Sequence, residues 1–367
     1  MKIFIDINHP AHVHYFKNLI KILKNKGYII LVSARNRYPV QELLEYYNIK
    51  YFNRGKGATT RIGKLIYMLF ADLFLLIKAK KFNPDVFLCF GGVYLTHVAK
   101  LIGKPSIFLY DTDTARFNHN FYLPFATHIL TPNVFKYNFG KKHIRFNSYM
   151  ELCYLHQKYF KPNRDIFNLL GIAENTPYVI LRFVSWNANH DFGHKGINNS
   201  NKIKVVREFT KYAKVFISSE GTLPNEIENF RIKIPPHKMH DALAFAKLLY
   251  GESATMASES VVLGVPAIYL DNDGRCYTSD QENNYGLVFN FTESIEDQEA
   301  SIQKGIQILK ENKDYQLQRE QLLNDKIDLT QYLVWFLKNY PNSVKVVQKN
   351  PDYQNRFNEK GRMIFAV

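Results

Sequence analysis

The apolar residues of the first half of the chain fall into short runs that alternate with longer segments of helical spacing. Short apolar runs bounded by polar or turn residues are typical of buried strands, and apolar positions repeating every three or four residues indicate helices. The predicted strands are KIFIDI, YIILVSA, IKYFNR, DVFLCFGG, PSIFLYDTD and ATHILTP. The predicted helices cover residues 15–26, 40–47, 61–81 and 95–102. This alternation predicts a parallel sheet with crossover helices.

A second alternation of strands and helices begins after an aromatic, polar stretch at residues 149–161, and the junction is predicted near residues 161–164. Its predicted strands are YVILRFV, KVFISSE, RIKIP, LLYGES and PAIYLD, and its predicted helices cover residues 202–212, 239–246 and 256–263. After Asp297 the pattern is mostly helical, as far as an apolar helix that ends at Pro341.

Two such halves predict an α/β protein with two doubly wound, Rossmann-type lobes. The predicted division is residues 1–162 for the acceptor or sugar side, 163–340 for the nucleotide-diphosphate side, and 341–367 as a C-terminal tail without assigned structure. In doubly wound folds ligands bind beyond the carboxyl ends of the strands, so we expect them in a cleft between the lobes.

Composition agrees with two buried cores and a reducing environment. The chain has 367 residues, more than a single core usually contains, and 46% of them are hydrophobic. Cys89, Cys153 and Cys276 show no metal-binding spacing, which favours a cytosolic protein without disulfides. The first residues read as a strand that carries Asp6, so no signal peptide is predicted.

The segment RIGKLIYMLFADLFLLIKAKK, residues 61–81, allows two interpretations. Its apolar part is interrupted by Asp72 and is shorter than the ~20 residues that span a bilayer. The favoured interpretation is a crossover helix buried under the sheet. The alternative is a helix with basic flanks that rests on a membrane surface, which allows peripheral contact at the inner face of the membrane.

The net charge of +15 leaves nucleic acid, an anionic membrane surface and anionic small molecules as partner classes. The sequence contains no helix-turn-helix, zinc-finger or RNP pattern, so no nucleic-acid partner is expected.

The most informative segment is LLYGESATMASESVVLGVPAIYLD, residues 248–271. A predicted strand leads into a turn of small and hydroxyl residues at a helix start, where backbone N–H groups can bind an anion. The candidate ligands around this helix start are Ser253, Ala254, Thr255 and Met256. Glu259, one turn into the helix, can accept both hydroxyls of a ribose. The alternative is an ordinary helix cap followed by a solvent-facing glutamate.

This turn, with the Glu-bearing helix and LGVPAI, resembles the nucleotide-diphosphate site of GT-B enzymes. These include non-hydrolysing UDP-N-acetylglucosamine 2-epimerases and UDP-sugar glycosyltransferases of cell-envelope synthesis. The motifs HPAHVHYFKN, DTDTA, RFVSWNANHDFGHKG and TMASESVVLGVPAI are similar to those of a GT-B-like prokaryotic family of unknown function. The resemblance covers about residues 1–290.

The resemblance implies the GT-B fold and nucleotide-sugar binding, carried by Ser253, Thr255 and Glu259. The chain departs from the epimerase sequence at this turn, which weakens the epimerase interpretation more than it weakens the interpretation as a nucleotide-binding site. The epimerases have an Asp-Ser-Gly-Gly run at this turn, where the chain has Glu252-Ser253-Ala254-Thr255.

A second polar segment, LRFVSWNANHDFGHKG, follows the first strand of the second half. Arg182 at the strand end suits bidentate binding of a phosphate. Asn189, His190 and Asp191 offer groups for sugar hydroxyls or phosphate, and the resemblance matches His190 to a functional histidine of the epimerases. A zinc site at His190, Asp191 and His194 is disfavoured because glycines interrupt a helix there.

Strand ends elsewhere supply further candidates. Asp111 and Asp113 follow a strand of the first half, and by resemblance one of them matches the acidic residue that acts at the sugar carbon. Their alternative role is an Asx turn. Gly91 and Gly92 would leave backbone open to a ligand. The remaining candidates, for contact with the nucleotide, are Glu220 and His240.

The first strand-to-helix turn, DINHPAHVH, contains histidines where dinucleotide-binding turns have glycines. His12 or His14 can act as a general base on an acceptor hydroxyl, or donate to a phosphate or sugar oxygen. The alternative is a structural, helix-capping histidine, and His9 before Pro10 is expected only to shape the turn.

These observations predict a glycosyltransferase that uses a nucleotide-diphospho-sugar, most simply a UDP-sugar, in cell-envelope polysaccharide or glycolipid synthesis. Its partners would be this donor and a glycan or lipid-linked acceptor. No metal and no further cofactor are expected, because the helix end and Arg182 can stabilise the leaving diphosphate. A sugar-nucleotide epimerase and a non-catalytic nucleotide-sugar binding protein are the alternatives.

Overall fold

The computed structural model describes residues 1–58, 60–114, 121–185 and 194–358. The chain forms two compact units. The first unit contains residues 1–154 and the chain from Lys326 onward, and the second unit contains Leu155–Asp325.

The first unit is built on a seven-stranded parallel sheet with the order β3-β2-β1-β4-β5-β6-β7. Its strands are β1 (Lys2–Ile7), β2 (Ile29–Ala34), β3 (Phe52–Asn53), β4 (Val86–Phe90), β5 (Ser106–Leu109), β6 (His128–Pro132) and β7 (His143–Phe146). Its first helices are α1 (Pro10–Asn25), α2 (Val40–Tyr46), α3 (Arg61–Phe82) and α4 (Val93–Leu101). The strand order reverses between β1 and β4, which marks the switch point where doubly wound sheets bind ligands.

The second unit contains a five-stranded parallel sheet with the order β12-β11-β10-β8-β9. Its strands are β8 (Tyr178–Phe183), β9 (Lys214–Ser219), β10 (Leu248–Gly251), β11 (Ala267–Leu270) and β12 (Val288–Phe291). Its helices are α5 (Ile166–Leu169), α6 (Asn199–Phe209), α7 (Met239–Ala244), α8 (Ala254–Val262), α9 (Cys276–Tyr285), α10 (Ile295–Glu311) and α11 (Gln316–Asp325). The order reverses between β8 and β10, where Arg182 lies opposite Gly251.

Two helices follow the second unit in the chain and belong to the first. They are α12 (Leu329–Lys338) and α13 (Asn342–Lys349). Helix α12 contacts α1, and its Thr330 hydroxyl donates to the Cys153 carbonyl at 2.8 Å. The prediction that residues 163–340 form one lobe and 341–367 a separate tail therefore differs from the structure. The apolar face of α12, on which Leu333 and Phe336 are buried, packs against the first unit.

Most predicted elements are confirmed, with several differences in local structure. Helix α1 begins at Pro10 rather than residue 15, because His9 caps it by accepting the Ala11 N–H and proline is tolerated in the first turn. The predicted strand RIKIP is wrong: it contributes only a bridge between Ile217 and Arg231, and the prolines that follow have no N–H to extend a ladder. Strands β7 and β12 were not predicted.

Helix α3 departs from the favoured prediction of a buried crossover helix. It buries Ala71, Leu75 and Ala79 completely, but the large apolar side chains of its opposite face are exposed. In the described part of the chain, none of the helices is long and apolar enough to span a membrane.

Candidate functional site

The predicted anion-binding turn is the corner between β10 and α8. Gly251 ends the strand with φ +153°, and a Cβ placed on it would lie 2.0 Å from the Arg182 carbonyl oxygen, so only glycine fits. Ser253 caps the helix, accepting the Met256 N–H at 3.3 Å. Ala254 and Thr255 form a first turn that contains no acidic residue. The corner therefore combines a helix N-terminus with small side chains, as anion binding requires.

The structure brings Glu259 and His240 together, two residues that the sequence places on separate helices. His240 Nε2 lies 2.9 Å from Glu259 Oε1, and both residues are buried. Glu259 is thus not the solvent-facing glutamate of the alternative interpretation. A buried carboxylate held by an imidazole has a fixed orientation, which suits recognition of a pair of hydroxyl groups.

Arg182 and Glu220, also predicted as ligand contacts, form an ion pair with each other at the ends of β8 and β9. Arg182 Nη1 donates to the Ser218 hydroxyl at 2.9 Å. Its Nε is buried and, within the described residues, has no hydrogen-bond partner. The guanidinium is therefore held at the switch point of the second sheet, with its charge partly neutralised by Glu220.

Glu252 has a role that the sequence interpretation missed. Its Oε2 accepts the Val184 N–H at 2.8 Å and its Oε1 accepts the Ile197 N–H at 2.6 Å. One buried carboxylate thus ties the segment after β8 to the segment before α6. The available signal was an acidic residue directly before the N-cap Ser253.

His194 lies among three carboxylates. It forms ion pairs with Glu293 through Nδ1 and with Asp273 through Nε2, and Asp271 is 3.9 Å from Nδ1. Burial lowers the pKa of His194, but the hydrogen bond to Glu293 and the charge of Asp271 outweigh it, so the pKa is raised. Such a histidine favours the protonated form.

The ligand atoms of His194, Asp271 and Glu293 lie within 4.8 Å of one another, close enough to consider a cation. Their other contacts are already those of an ion-pair cluster. Arg275 lies 3.2 Å from Asp271, and Glu293 Oε2 accepts two backbone N–H groups at 2.7 Å. The donor set therefore fits a protonated histidine better than a metal ion.

His12 and His14 are both buried within the first turns of α1. His12 Nδ1 accepts the Asn8 N–H at 3.3 Å, which leaves Nε2 as the protonated nitrogen of a neutral ring. Burial, with the charges of Arg37 and Arg54, lowers the pKa of His12 to about 3. A hydrogen-bond donor role suits such a ring better than proton abstraction, which works best with a pKa near the working pH.

The His14 ring stacks on Tyr154 at a centroid distance of 5.1 Å and meets the edge of Tyr47 at 5.8 Å. These contacts place the imidazole in an aromatic cluster.

Asp111 and Asp113 are both buried after β5. The Thr112 hydroxyl donates to Asp111 at 3.1 Å, and Lys136 Nζ lies 3.3 Å from Asp113. Asp113 therefore forms an ion pair with an exposed lysine.

Gly91 and Gly92 differ in surroundings. A Cβ on Gly91, with φ +57°, would meet open space, so backbone is accessible there. A Cβ on Gly92 would lie 3.0 Å from the Asn8 side-chain nitrogen. Packing against Asn8 thus gives Gly92 a structural reason to be glycine.

Asn189, His190 and Asp191 lie outside the described residues. Their predicted roles stay predictions.

Comparison with known proteins supports the architecture. Residues 1–329 match the protein family of unknown function DUF354. The uncharacterized protein MJ0665 of Methanocaldococcus jannaschii is 28% identical over 279 residues, covering 73% of this chain and 81% of that protein.

Solved structures with similar folds include UDP-GlcNAc 2-epimerases and glycosyltransferases. UDP-GlcNAc 2-epimerase of Neisseria meningitidis, bound to UDP-GlcNAc, has a TM-score of 0.66 at 12% identity, over 95% of this chain and 99% of that one. The spinosyn rhamnosyltransferase SpnG, complexed with spinosyn aglycone, has a TM-score of 0.59 at 14% identity, over 92% and 100%.

The two parallel-sheet units and these likenesses identify the GT-B fold, as the sequence predicted. Because the match to the DUF354 family extends over most of its length, the chain belongs to that family.

Proposed function

We propose that the protein is a glycosyltransferase that uses a nucleotide-diphospho-sugar, with a UDP-sugar as donor, in the synthesis of a cell-envelope polysaccharide or glycolipid. The observation that carries the proposal is the β10–α8 corner, with its small-residue helix start and the buried Glu259–His240 pair one turn further on. The donor diphosphate would rest on the N–H groups of the first turn. Glu259 would accept the ribose hydroxyls.

The other predicted residues take supporting roles in this proposal. Arg182 would share its charge between Glu220 and the diphosphate. Asp113 is the candidate base for an acceptor hydroxyl, and His12 would donate from Nε2 to an acceptor or sugar oxygen. No step requires a metal ion, since the helix end and Arg182 supply the positive electrostatic potential that a leaving diphosphate needs.

A sugar-nucleotide epimerase is the second candidate. Two buried carboxylates, Asp111 and Asp113, follow one strand, and buried carboxylates are suited to proton transfer at a sugar carbon. Several proteins that share this fold are named as UDP-GlcNAc 2-epimerases. In this case no acceptor would be needed.

The donor site is tested by measuring UDP affinity calorimetrically. We expect Glu259→Ala to weaken UDP binding at least 30-fold, about 2 kcal/mol, because a carboxylate that receives hydroxyl donors is lost. The matched control is Glu296→Ala, which removes an exposed glutamate of the same unit and should leave the affinity unchanged. Equal affinity in Glu259→Ala and the wild type would show that the nucleotide does not bind at this corner.

Turnover separates the candidate reactions. Incubation with UDP-sugars and no acceptor should give no isomer if the protein is a transferase, and an isomer if it is an epimerase. UDP release that depends on an added glycan or lipid-linked acceptor supports the transferase. Tight UDP binding without either product would identify a binding protein.

A further inference from the structure

One face of α3 exposes seven large apolar side chains, each with more than half of its surface accessible. They are Ile62, Leu65, Ile66, Leu69, Phe70, Leu73 and Ile77. Spaced by three or four residues, they fall within an arc of roughly 140° on a helix. We call this surface the α3 face.

The orientation of the helix is fixed by its other side. Ala71, Leu75 and Ala79 are fully buried, and Asp72 forms an ion pair with His97 of α4 at 2.9 Å. Near the helix start, Tyr67 donates from its hydroxyl to the Arg54 carbonyl at 3.2 Å. Rotating the α3 face inward would break these contacts, so its exposure belongs to the folded unit.

An exposed apolar stripe of this length is unusual for a protein surface and indicates a binding surface. The helix has 22 residues, which corresponds to a length of about 33 Å. The helix is not long and apolar enough to span a membrane, so a lipid partner would have to meet it lengthwise.

Charge decides between an anionic lipid surface and a second copy of the chain. Lys80 and Lys81, both exposed, lie at the end of the helix, on the α3 face and at its edge. Its single acidic residue, Asp72, is engaged by His97. A second copy would bring together two faces bordered by the same positive charges, whereas an anionic surface complements them.

A further basic group lies beside the first half of the helix. Arg54 is fully buried and paired with Asp6, so the charge near the surface here is the half-buried Arg35 guanidinium, which lies against Gly57 just before the helix. Lys78 covers the rings of Phe52 and Phe74 with its ammonium group 5.4 and 5.6 Å from their centroids. Positive charge thus lies near the start of the helix, at Arg35, and at the end of the apolar stripe, at Lys80 and Lys81.

We propose that the α3 face docks the protein on the surface of an anionic lipid bilayer. The apolar side chains would enter the interface between headgroups and acyl chains, and the flanking lysines would reach the phosphates. This inference concerns attachment and does not depend on the proposed reaction.

Co-sedimentation with vesicles tests the attachment. The full chain, without nucleotide, is mixed with vesicles of equal parts phosphatidylglycerol and phosphatidylcholine, or of phosphatidylcholine alone. We expect binding to the anionic vesicles and at least tenfold weaker binding to the neutral ones. Absence of binding to the anionic vesicles, or equal binding to both, overturns the proposal.

Substitutions then assign the binding surface. The triple variant Leu65→Ser, Leu69→Ser, Leu73→Ser should bind at least tenfold more weakly, and circular dichroism should show the melting temperature of the wild type because the three side chains are exposed. The matched control changes three exposed apolar residues of the other unit, Leu169→Ser, Ile295→Ser and Leu317→Ser, and should bind as the wild type does. Equal binding of the two triple variants contradicts the assignment.

The contribution of positive charge to vesicle binding is tested with the double variant Lys80→Gln, Lys81→Gln. It should reduce binding to the anionic vesicles about fivefold at low salt and have little effect at high salt. Lys24→Gln, Lys26→Gln, at the end of α1, is the control pair. Analytical ultracentrifugation tests whether a second copy of the chain covers the α3 face instead of a lipid surface. A wild-type dimer that the leucine variant converts to a monomer would assign the α3 face to a second copy and overturn the lipid proposal.

Discussion

The two sheets of the molecule present the same type of corner with opposite chemistry. In each unit a helix begins just after a strand beside the switch point: α1 after β1, and α8 after β10. The first corner is filled by aromatic and imidazole rings, and the centroids of the His12 and Phe90 rings lie 5.0 Å apart. The second corner is lined by Ser253, Ala254 and Thr255, beside Gly251, where a Cβ would collide with the Arg182 carbonyl oxygen.

The comparison teaches that side-chain size, rather than topology, decides what a strand-to-helix corner can bind. Small residues leave the N–H groups of a helix end within reach of an anion. At the first corner, by contrast, the His9 imidazole already accepts the Ala11 N–H, and His12 offers a single N–H donor. The two corners are also secured differently. Below the first corner, Asp6 forms an ion pair with Arg54 in the core. Beside the second corner, the Glu252 carboxylate accepts hydrogen bonds from backbone N–H groups.

The largest expected effect is on the buried pair of the first corner. Asp6 and Arg54 side chains are fully buried, with Asp6 Oδ1 3.0 Å from Arg54 Nε and 2.6 Å from the Ser33 hydroxyl. Asp6→Ala should reduce the free energy of unfolding by about 3–5 kcal/mol, because the Arg54 charge stays buried without its partner. Urea unfolding measures the change.

The double variant Asp6→Ala, Arg54→Met sharpens this result. It removes both charges, so its loss of stability should be smaller than the sum of the two single losses. If the losses of stability are additive, Asp6 and Arg54 have no coupling energy. The buried ion pair would then not distinguish the stability of the first corner from that of the second.

The second corner should respond to backbone crowding. Gly251→Ala places a Cβ 2.0 Å from the Arg182 carbonyl oxygen and should reduce the free energy of unfolding by about 2–3 kcal/mol. Gly221→Ala is the control, since a Cβ there would meet nothing within 4 Å, and its stability should stay near that of the wild type. Similar stabilities of the two variants in urea would rule out a close approach at Gly251.

The smallest expected effect is the acid sensitivity of the first corner. The pKa of His12 is about 3 in the folded chain, below its ordinary value of 6.5, so the unfolded chain binds more protons between these values. The stabilisation is therefore present above pH 6.5 and is lost as the pH falls toward 3.

His12→Asn removes this titration while keeping a side-chain acceptor near Asn8. Between pH 7 and pH 5.5 its unfolding free energy should fall by about 1 kcal/mol less than that of the wild type. Equal pH dependence of the two chains in urea unfolding would show that His12 is not held neutral.

Local patterns were enough to predict the alternation of strands and helices, and the resemblance of several motifs indicated the GT-B fold. They also identified Ser253 as part of the helix start and Glu259 as a residue of the same corner. What the patterns could not provide depends on contacts between distant segments. The pairing of Glu259 with His240 and the ion pair of Arg182 with Glu220 join residues on separate elements, and no local signal reports them.

The errors have the same physical origin. The segment RIKIP has an alternating pattern, but it ends in proline and forms only one bridge. Helix α3 is apolar on nearly every side, so its sequence does not reveal which face the sheet covers. The assignment of α12 to the second lobe followed its position in the chain, whereas its apolar face packs in the first unit.

The return of α12 to the first unit has a consequence for synthesis of the chain. The second unit is continuous, from Leu155 to Asp325, and all of its residues have been made before α12 emerges from the ribosome. The first unit starts earlier but must wait for Leu329–Lys338 before α1 is covered. The unit whose sequence begins first is therefore the last to be completed, and until then the apolar surface of α1 is open to chaperones.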